Sequence, residues 1–518
     1  MAKVVTYTTG TVEDEAFHIG FEDAGTRLRS EIGGAVPQIV HGDEERAEPA
    51  VKDRYPADLD VVVAGVPESG PETAARAVAS SRDAFPAWER AGWQERVATI
   101  RRAADLIDQN RFRLAALATY ETGKVRLEAV GEVDEASALL RYYADQWEAA
   151  GGFELELGNE AERALSVLRP WGVWVVISPF NFPLALAAGM AGAALLGGNT
   201  VVLKPPPETA ATGTELVRLL LEAGVPPGAV NLVHGDAVTG GALVEHPGVD
   251  GLAFTGSRDV GLSIARSFLA AKPRPMVAEM GGKNAVVVMD SADVKKAVAG
   301  TARSAFGLSG QKCSAASRAY VHEDVYEEFA TGLAEAAKAL VVGDPFDRET
   351  YTGPISTEDA FRRYEDVSRR AAEEGRVRAG GEALRDGERA RGLFVAPTVV
   401  DGLERSHAFF REEFFLPFIA LAPVSSLDEA IEETNAVPFG LTAGIFSGDD
   451  GEIERFMDDV ATGVVYANRA AGATTGAWPG VQSFGGWKES GLSGRHALGP
   501  HYVQQFVREQ SRTFPRTR

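Results

Sequence analysis

Between Arg169 and Lys204 the chain carries no charged residue, and that run decides most of what the sequence can fold into. A lipid-facing helix needs about 20 uninterrupted apolar residues. Here Pro179, Asn181, Pro183, Gly197, Gly198 and Asn199 break the run. The punctuation predicts a strand over 172–178, a turn, a small-residue helix over 184–196 and a second strand over 200–203. Strands this apolar on both faces belong in the middle of a parallel sheet that is covered on each side.

The rest of the chain continues that rhythm. Residues 72–150 read as consecutive amphipathic helices, with Val97, Ile100, Ala104 and Ile107 on one face. Further on, short β-rich stretches at 230–234, 251–254, 285–289, 319–321 and 418–421 alternate with helical ones. Such alternation signals α/β architecture with parallel sheets. The first 50 residues are acidic and predict a largely helical cap, whereas 343–415 read as loop-rich, with turns at Gly353-Pro354 and Gly380-Gly381.

Composition narrows the functions available. A single cysteine, Cys313, excludes a disulfide framework and a thiolate-rich metal site. The eight histidines are scattered without ligand spacing, so no catalytic metal is expected. Lys plus Arg total 52 against 74 Asp plus Glu, a formal charge of −22 that argues against nucleic-acid or anionic-membrane partners. The acid is spread along the chain, which suits a protein of a salty cytoplasm, where ions screen carboxylate repulsion, or else an ordinary acidic cytosolic protein. The start, Met-Ala-Lys-Val-Val-Thr-Tyr, lacks an apolar signal segment and predicts a cytoplasmic location.

Cys313 sits in Gly310-Gln311-Lys312-Cys313-Ser314-Ala315, among small and polar residues. That setting predicts an accessible thiol of lowered pKa, although a chance surface cysteine would look the same. Four strand-end segments supply companion chemistry. Asn181, held between Pro179 and Pro183, offers a rigid amide donor for an oxyanion. Lys204 closes an apolar strand and suits a ribose or phosphate, or is simply a solvated lysine. Phe254-Thr255-Gly256-Ser257 turns into a helix whose N-terminus suits a pyrophosphate, though the spacing is not a dinucleotide fingerprint and a plain turn explains it equally. Glu279 lies between an apolar stretch and Gly281-Gly282, poised as a general base or as an ordinary loop carboxylate.

These segments, followed by Glu412-Glu413-Phe414-Phe415 and Phe484-Gly485-Gly486-Trp487-Lys488, resemble in order and spacing the NAD(P)-dependent aldehyde dehydrogenase superfamily from about residue 50 to the end. The resemblance implies an α/β, aldehyde dehydrogenase-like fold: two Rossmann-like parallel-sheet domains plus a small β oligomerisation element. It divides the chain into an N-terminal extension (1–50), an NAD(P)-binding domain (51–153 and 171–282), a catalytic domain (283–490) and the oligomerisation element (154–170 and 491–518). Cys313 becomes the nucleophile, Asn181 the oxyanion donor and Glu279 the base for the hydrolytic water. Cofactor contacts fall to Ile177, Ser178, Phe180, Lys204, Gly256, Ser257, Val260, Glu413 and Phe415, and no metal is implied.

Within the superfamily, the nucleophile segment and the stretch from Asn468-Arg469 through Gly485-Gly486 are similar to those of 1-pyrroline-5-carboxylate (glutamate semialdehyde) dehydrogenases. That likeness implies a substrate α-carboxylate held by the backbone N–H groups of Gly476 and Ala477 with Ser314, and aliphatic walls from Phe182 and Phe484. The expected reaction is oxidation of L-glutamate γ-semialdehyde to glutamate in proline degradation, by a homodimer or a dimer-based higher oligomer. Succinate or 2-oxoglutarate semialdehyde is the alternative substrate. A cysteine hydrolase or acyltransferase is the alternative chemistry, and it would need a histidine beside the thiol. NAD is the expected cofactor. NADP stays open because Pro207 stands where NAD-preferring relatives carry a glutamate, with Glu208 one step out of register.

Overall fold

The structure, a computed structural model, describes residues 4–6, 9, 14–470 and 477–515. The charge-free run folds as read, into a strand Val173–Ile177, a helix Ala185–Leu196 and a strand Thr200–Lys204. All of that helix except Leu186 is buried. A helix with no polar face must be covered all round, and helix Arg126–Ala149 covers it. Leu139 and Leu140 rest on Gly189 and Gly192, where a β-carbon would meet them. Val97, Ile100, Ala104 and Ile107 are buried as their periodicity predicts.

The first sheet runs in the order Met276–Glu279, Gly251–Thr255, Val173–Ile177, Thr200–Lys204, Val230–Leu232, Gln38–Val40, Asp43–Glu45. Its first five strands are parallel and the last two antiparallel. The N-terminal segment therefore departs from the largely helical expectation. After helix Glu15–Arg29 it adds two strands through a turn at His41 and Gly42, both at positive φ. Three residues per strand are too few to display a period in sequence.

The second sheet runs Arg376–Ala379, Thr398–Asp401, Phe418–Val424, Ala316–His322, Asn284–Val288, Thr442–Phe446, Val464–Ala467, parallel except at Arg376–Ala379. The loop-rich expectation for 343–415 fails here, because helix Glu358–Glu374 lies inside it. Its buried residues, Ala360, Phe361, Tyr364, Val367, Ser368 and Ala371, form a proper stripe that dense flanking charge hid. A third, antiparallel sheet joins Leu155–Gly158, Glu162–Pro170 and Val507–Pro515, bringing together the two distant segments expected to pair. Among the described residues no helix is long and apolar enough to cross a membrane.

Candidate active site

A cavity of about 480 Å³ opens where the carboxyl ends of first-sheet strands meet segments that lead into the second sheet. From the first sheet come Ile177 to Phe182, Thr255 to Ser257, and Glu279 to Gly281. From the second come Cys313 and Ser314, just before strand Ala316–His322, and Glu413 to Phe415, just before strand Phe418–Val424. Val260, Ala477 and Phe484 complete the set of predicted residues in the wall. Lys204 is not part of the lining, and Gly476 falls outside the described residues.

The segment leading to Cys313 is held in a strained conformation. Leu308, Ser309 and Gly310 all have positive φ, at 48°, 49° and 66°. Two non-glycine residues in that region cost about 1–3 kcal/mol each, so their surroundings must fix them. The Ser309 N–H donates to Thr352 Oγ1 at 3.0 Å and its hydroxyl to the Gly353 carbonyl at 2.7 Å. Asn284 latches the other side, its Nδ2 donating to the carbonyls of Cys313 at 2.7 Å and Ala315 at 2.9 Å. Nothing in the sequence marked Asn284 for this task.

Asn181 is buried, and its Nδ2 donates to the Gln311 carbonyl at 3.0 Å. A primary amide has two N–H bonds, so this contact fixes the group and leaves one donor for the cavity. Glu279 Oε2 accepts from the Gly486 N–H at 2.9 Å, and burial pushes its carboxyl up to about 8. Glu413 Oε1 accepts from the Gly282 N–H at 2.8 Å, and burial raises it to about 7. Its other oxygen fills the space that a side chain at position 281 would need, which is why Gly281 stands there. Phe415, at φ 58°, meets Phe180 edge-on with ring centroids 5.9 Å apart.

The expectation of a lowered thiol pKa is overturned. Burial, then the charges of Glu413 and Glu279, push Cys313 up to about 12. Lys312, its neighbour in sequence, turns away to pair with Glu128 at 2.8 Å. The resting group is therefore a neutral thiol facing the cavity. No histidine lines the cavity among the described residues. His496 and Glu279 both border Gly485: a β-carbon there would lie 2.5 Å from the His496 ring and 3.1 Å from Glu279 Oε1.

A dinucleotide fits beside this wall. Ser178 Oγ is buried without a partner among the described residues, and the buried Lys204 ammonium has one long contact, to the Pro205 carbonyl at 3.4 Å. Ser257 opens helix Arg258–Ala271, whose first-turn N–H groups suit an anion. Burial lowers the Lys204 pKa, offset by the carboxylates of Glu208, Glu68 and Asp236. Acid thus surrounds the lysine even though position 207 is proline. One further residue escaped the sequence reading: Glu135, buried on helix Arg126–Ala149, also lines the cavity.

Comparison with known proteins agrees with this geometry. The aldehyde dehydrogenase family profile matches residues 26–511, and the chain belongs to that family. It is 36% identical over 504 residues to 1-pyrroline-5-carboxylate dehydrogenase 1 of Halalkalibacterium halodurans, covering 96% of each protein. It also superposes on 1-pyrroline-5-carboxylate dehydrogenase from Thermus, solved with bound NAD, with a TM-score of 0.92 at 31% identity over 98% of both chains. Proline utilization A from Bdellovibrio bacteriovorus matches with a TM-score of 0.92 at 31% identity, and there the chain spans only 52% of the longer protein.

Because Cys313 is the only thiol, alkylation of the whole protein reports on it alone. With the thiol held near 12, iodoacetamide labelling followed by intact mass should keep accelerating beyond pH 9, without the plateau of an ordinary thiol near 8.5. Glu413→Gln removes one repelling charge and should label faster at a fixed pH. A plateau by pH 8.5 would show that neither burial nor carboxylate charge governs the sulfur.

Proposed function

We propose that the protein oxidises L-glutamate γ-semialdehyde to glutamate with NAD as hydride acceptor, through a thioester on Cys313. The supporting observation is one cavity that holds a thiol, a pinned amide donor and carboxyls raised to between about 7 and 8, in a chain similar to 1-pyrroline-5-carboxylate dehydrogenases. Ser178, Lys204, Ser257 and Glu413 would hold the dinucleotide, with Phe180 and Phe415 beside it. When bound, it supplies the acceptor for the hydride that an aldehyde must lose to become an acyl group.

The chain's own residues do the rest. Cys313 Sγ adds to the carbonyl carbon while its proton passes to Glu413, a cavity carboxylate whose charge reaches it. The free N–H of Asn181 and the Cys313 backbone N–H receive the oxyanion. Departure of hydride leaves an acyl group on sulfur. Glu279, ionised above about pH 8, then takes a proton from water and later releases it to solvent. The hydroxide adds to the acyl carbon, the C–S bond breaks to free the carboxylic acid, and the sulfur regains its proton from Glu413.

The similarity to 1-pyrroline-5-carboxylate dehydrogenases supports an amino-acid aldehyde over a plain semialdehyde. Of the candidate substrates, glutamate semialdehyde alone carries an ammonium group beside an α-carboxylate. Its α-carboxylate would be taken by the backbone at Ala477 with Ser314, and its methylenes by Phe182 and Phe484. The carboxylates of Glu68, Glu208 and Asp236 oppose a 2′-phosphate near Lys204, which favours NAD over NADP.

Steady-state kcat/KM across the three semialdehydes tests the substrate. Glutamate semialdehyde should give the highest kcat/KM of the three. Preference for succinate or 2-oxoglutarate semialdehyde would refute the assignment. We also propose a dimer-based assembly through the third sheet, where Leu155, Leu157 and Phe514 are exposed. Sedimentation equilibrium should give a dimer or larger species, and a monomer would count against it.

A further inference from the structure

Helix Arg126–Ala149 carries Glu128, Glu132 and Glu135 at a spacing that puts all three on one face. Glu135 reaches the cavity. Glu128 grips the nucleophile segment, accepting from the Leu308 N–H at 3.1 Å and from Lys312 Nζ at 2.8 Å. Glu132 grips the oxyanion turn. Its Oε1 accepts from the backbone N–H of Leu184 at 2.8 Å and of Ala185 at 3.3 Å, and its Oε2 receives the ammonium of Lys124. Lys124 and Glu132 are both fully buried, and Lys124 Nζ stands 4.0 Å from the centroid of the Phe182 ring.

Such a pair is a poor investment in stability alone. Two charges are costly to dehydrate, and apolar residues of similar volume often serve a core equally well. An apolar pair could not accept the Leu184 N–H or hold the face of Phe182 by a cation–π contact. These contacts bracket Asn181: the next side chain is held by a buried cation, and the backbone three residues on by a buried carboxylate.

We propose that Lys124 and Glu132 are positioning residues that fix the Asn181–Phe182 turn on helix Arg126–Ala149, and so set the oxyanion donor against Cys313, whose segment Glu128 fixes on the same helix. This rests on the reading of Asn181 as the oxyanion donor. The pair touches neither substrate nor thiol; it acts through the turn.

The acylation burst of p-nitrophenyl acetate tests it, because that reaction needs the thiol and an oxyanion donor but no dinucleotide. Burst rates are compared for the natural protein, Glu132→Gln, Asn181→Ala and the double variant. Glu132→Gln should slow the burst about tenfold to a hundredfold, the effect of a misplacement near 1 Å, with ester affinity and circular dichroism unchanged. In the Asn181→Ala background the same substitution should matter less than about twofold, since the donor it positions is gone. Losses that multiply, or a full burst in Glu132→Gln, overturn the proposal. An undiminished burst in Asn181→Ala refutes the oxyanion reading instead, whatever Glu132 does. If Glu132→Gln does not fold, Lys124→Met, which leaves the Glu132 acceptor in place, runs the same cycle. If neither folds, the pair is a requirement of folding and the positioning role falls.

Discussion

Coverage of both faces of each main sheet governs this molecule. A strand buried on two sides can show polar groups only at its ends, so chemistry is confined to the edges. The carboxyl ends of Val173–Ile177, Gly251–Thr255 and Met276–Glu279 carry Asn181, Gly256 and Glu279 into the cavity. The segments entering Ala316–His322 and Phe418–Val424 bring Cys313 and Glu413 to meet them. Neither sheet alone has a complete set. Asn181 and Glu279 belong to one, Cys313 to the other, and the cavity exists because the two edges face each other.

Charge around the sulfur is arranged for restraint. The nearby lysines are committed elsewhere, Lys312 to Glu128 and Lys124 to Glu132. Burial raises the Cys313 thiol first, and the charges of Glu413 and Glu279 add to it. A cation fixed beside the thiol would ionise it permanently and would compete for an anionic substrate. Burial and carboxylate charge thus favour the protonated sulfur.

The residues legible in the sequence were those whose surroundings are local. Asn181 between two prolines, Glu279 before a glycine pair and Cys313 among small residues each announce themselves within seven positions, and all three line one cavity. Residues whose importance comes from distant partners stayed hidden. Glu128, Glu132 and Glu135 read as the wet face of an amphipathic helix, yet two sides of the site close over that face. Asn284 looks like any residue at the start of a strand. The thiol's pKa was misjudged for the same reason: Lys312 adjoins Cys313 along the chain but points away from it in space. Helix Glu358–Glu374 escaped because dense charge concealed a regular buried stripe.

The account stands on one covalent event, the transfer of the substrate's acyl group to sulfur. The most direct measurement is mass spectrometry of Glu279→Gln protein quenched in acid while it reacts with glutamate semialdehyde and NAD. With the base removed, deacylation stalls, and the peptide bearing Cys313 should gain the mass of a glutamyl group. Reduced nicotinamide formed in amounts equal to the enzyme, with that peptide unmodified, would contradict the account.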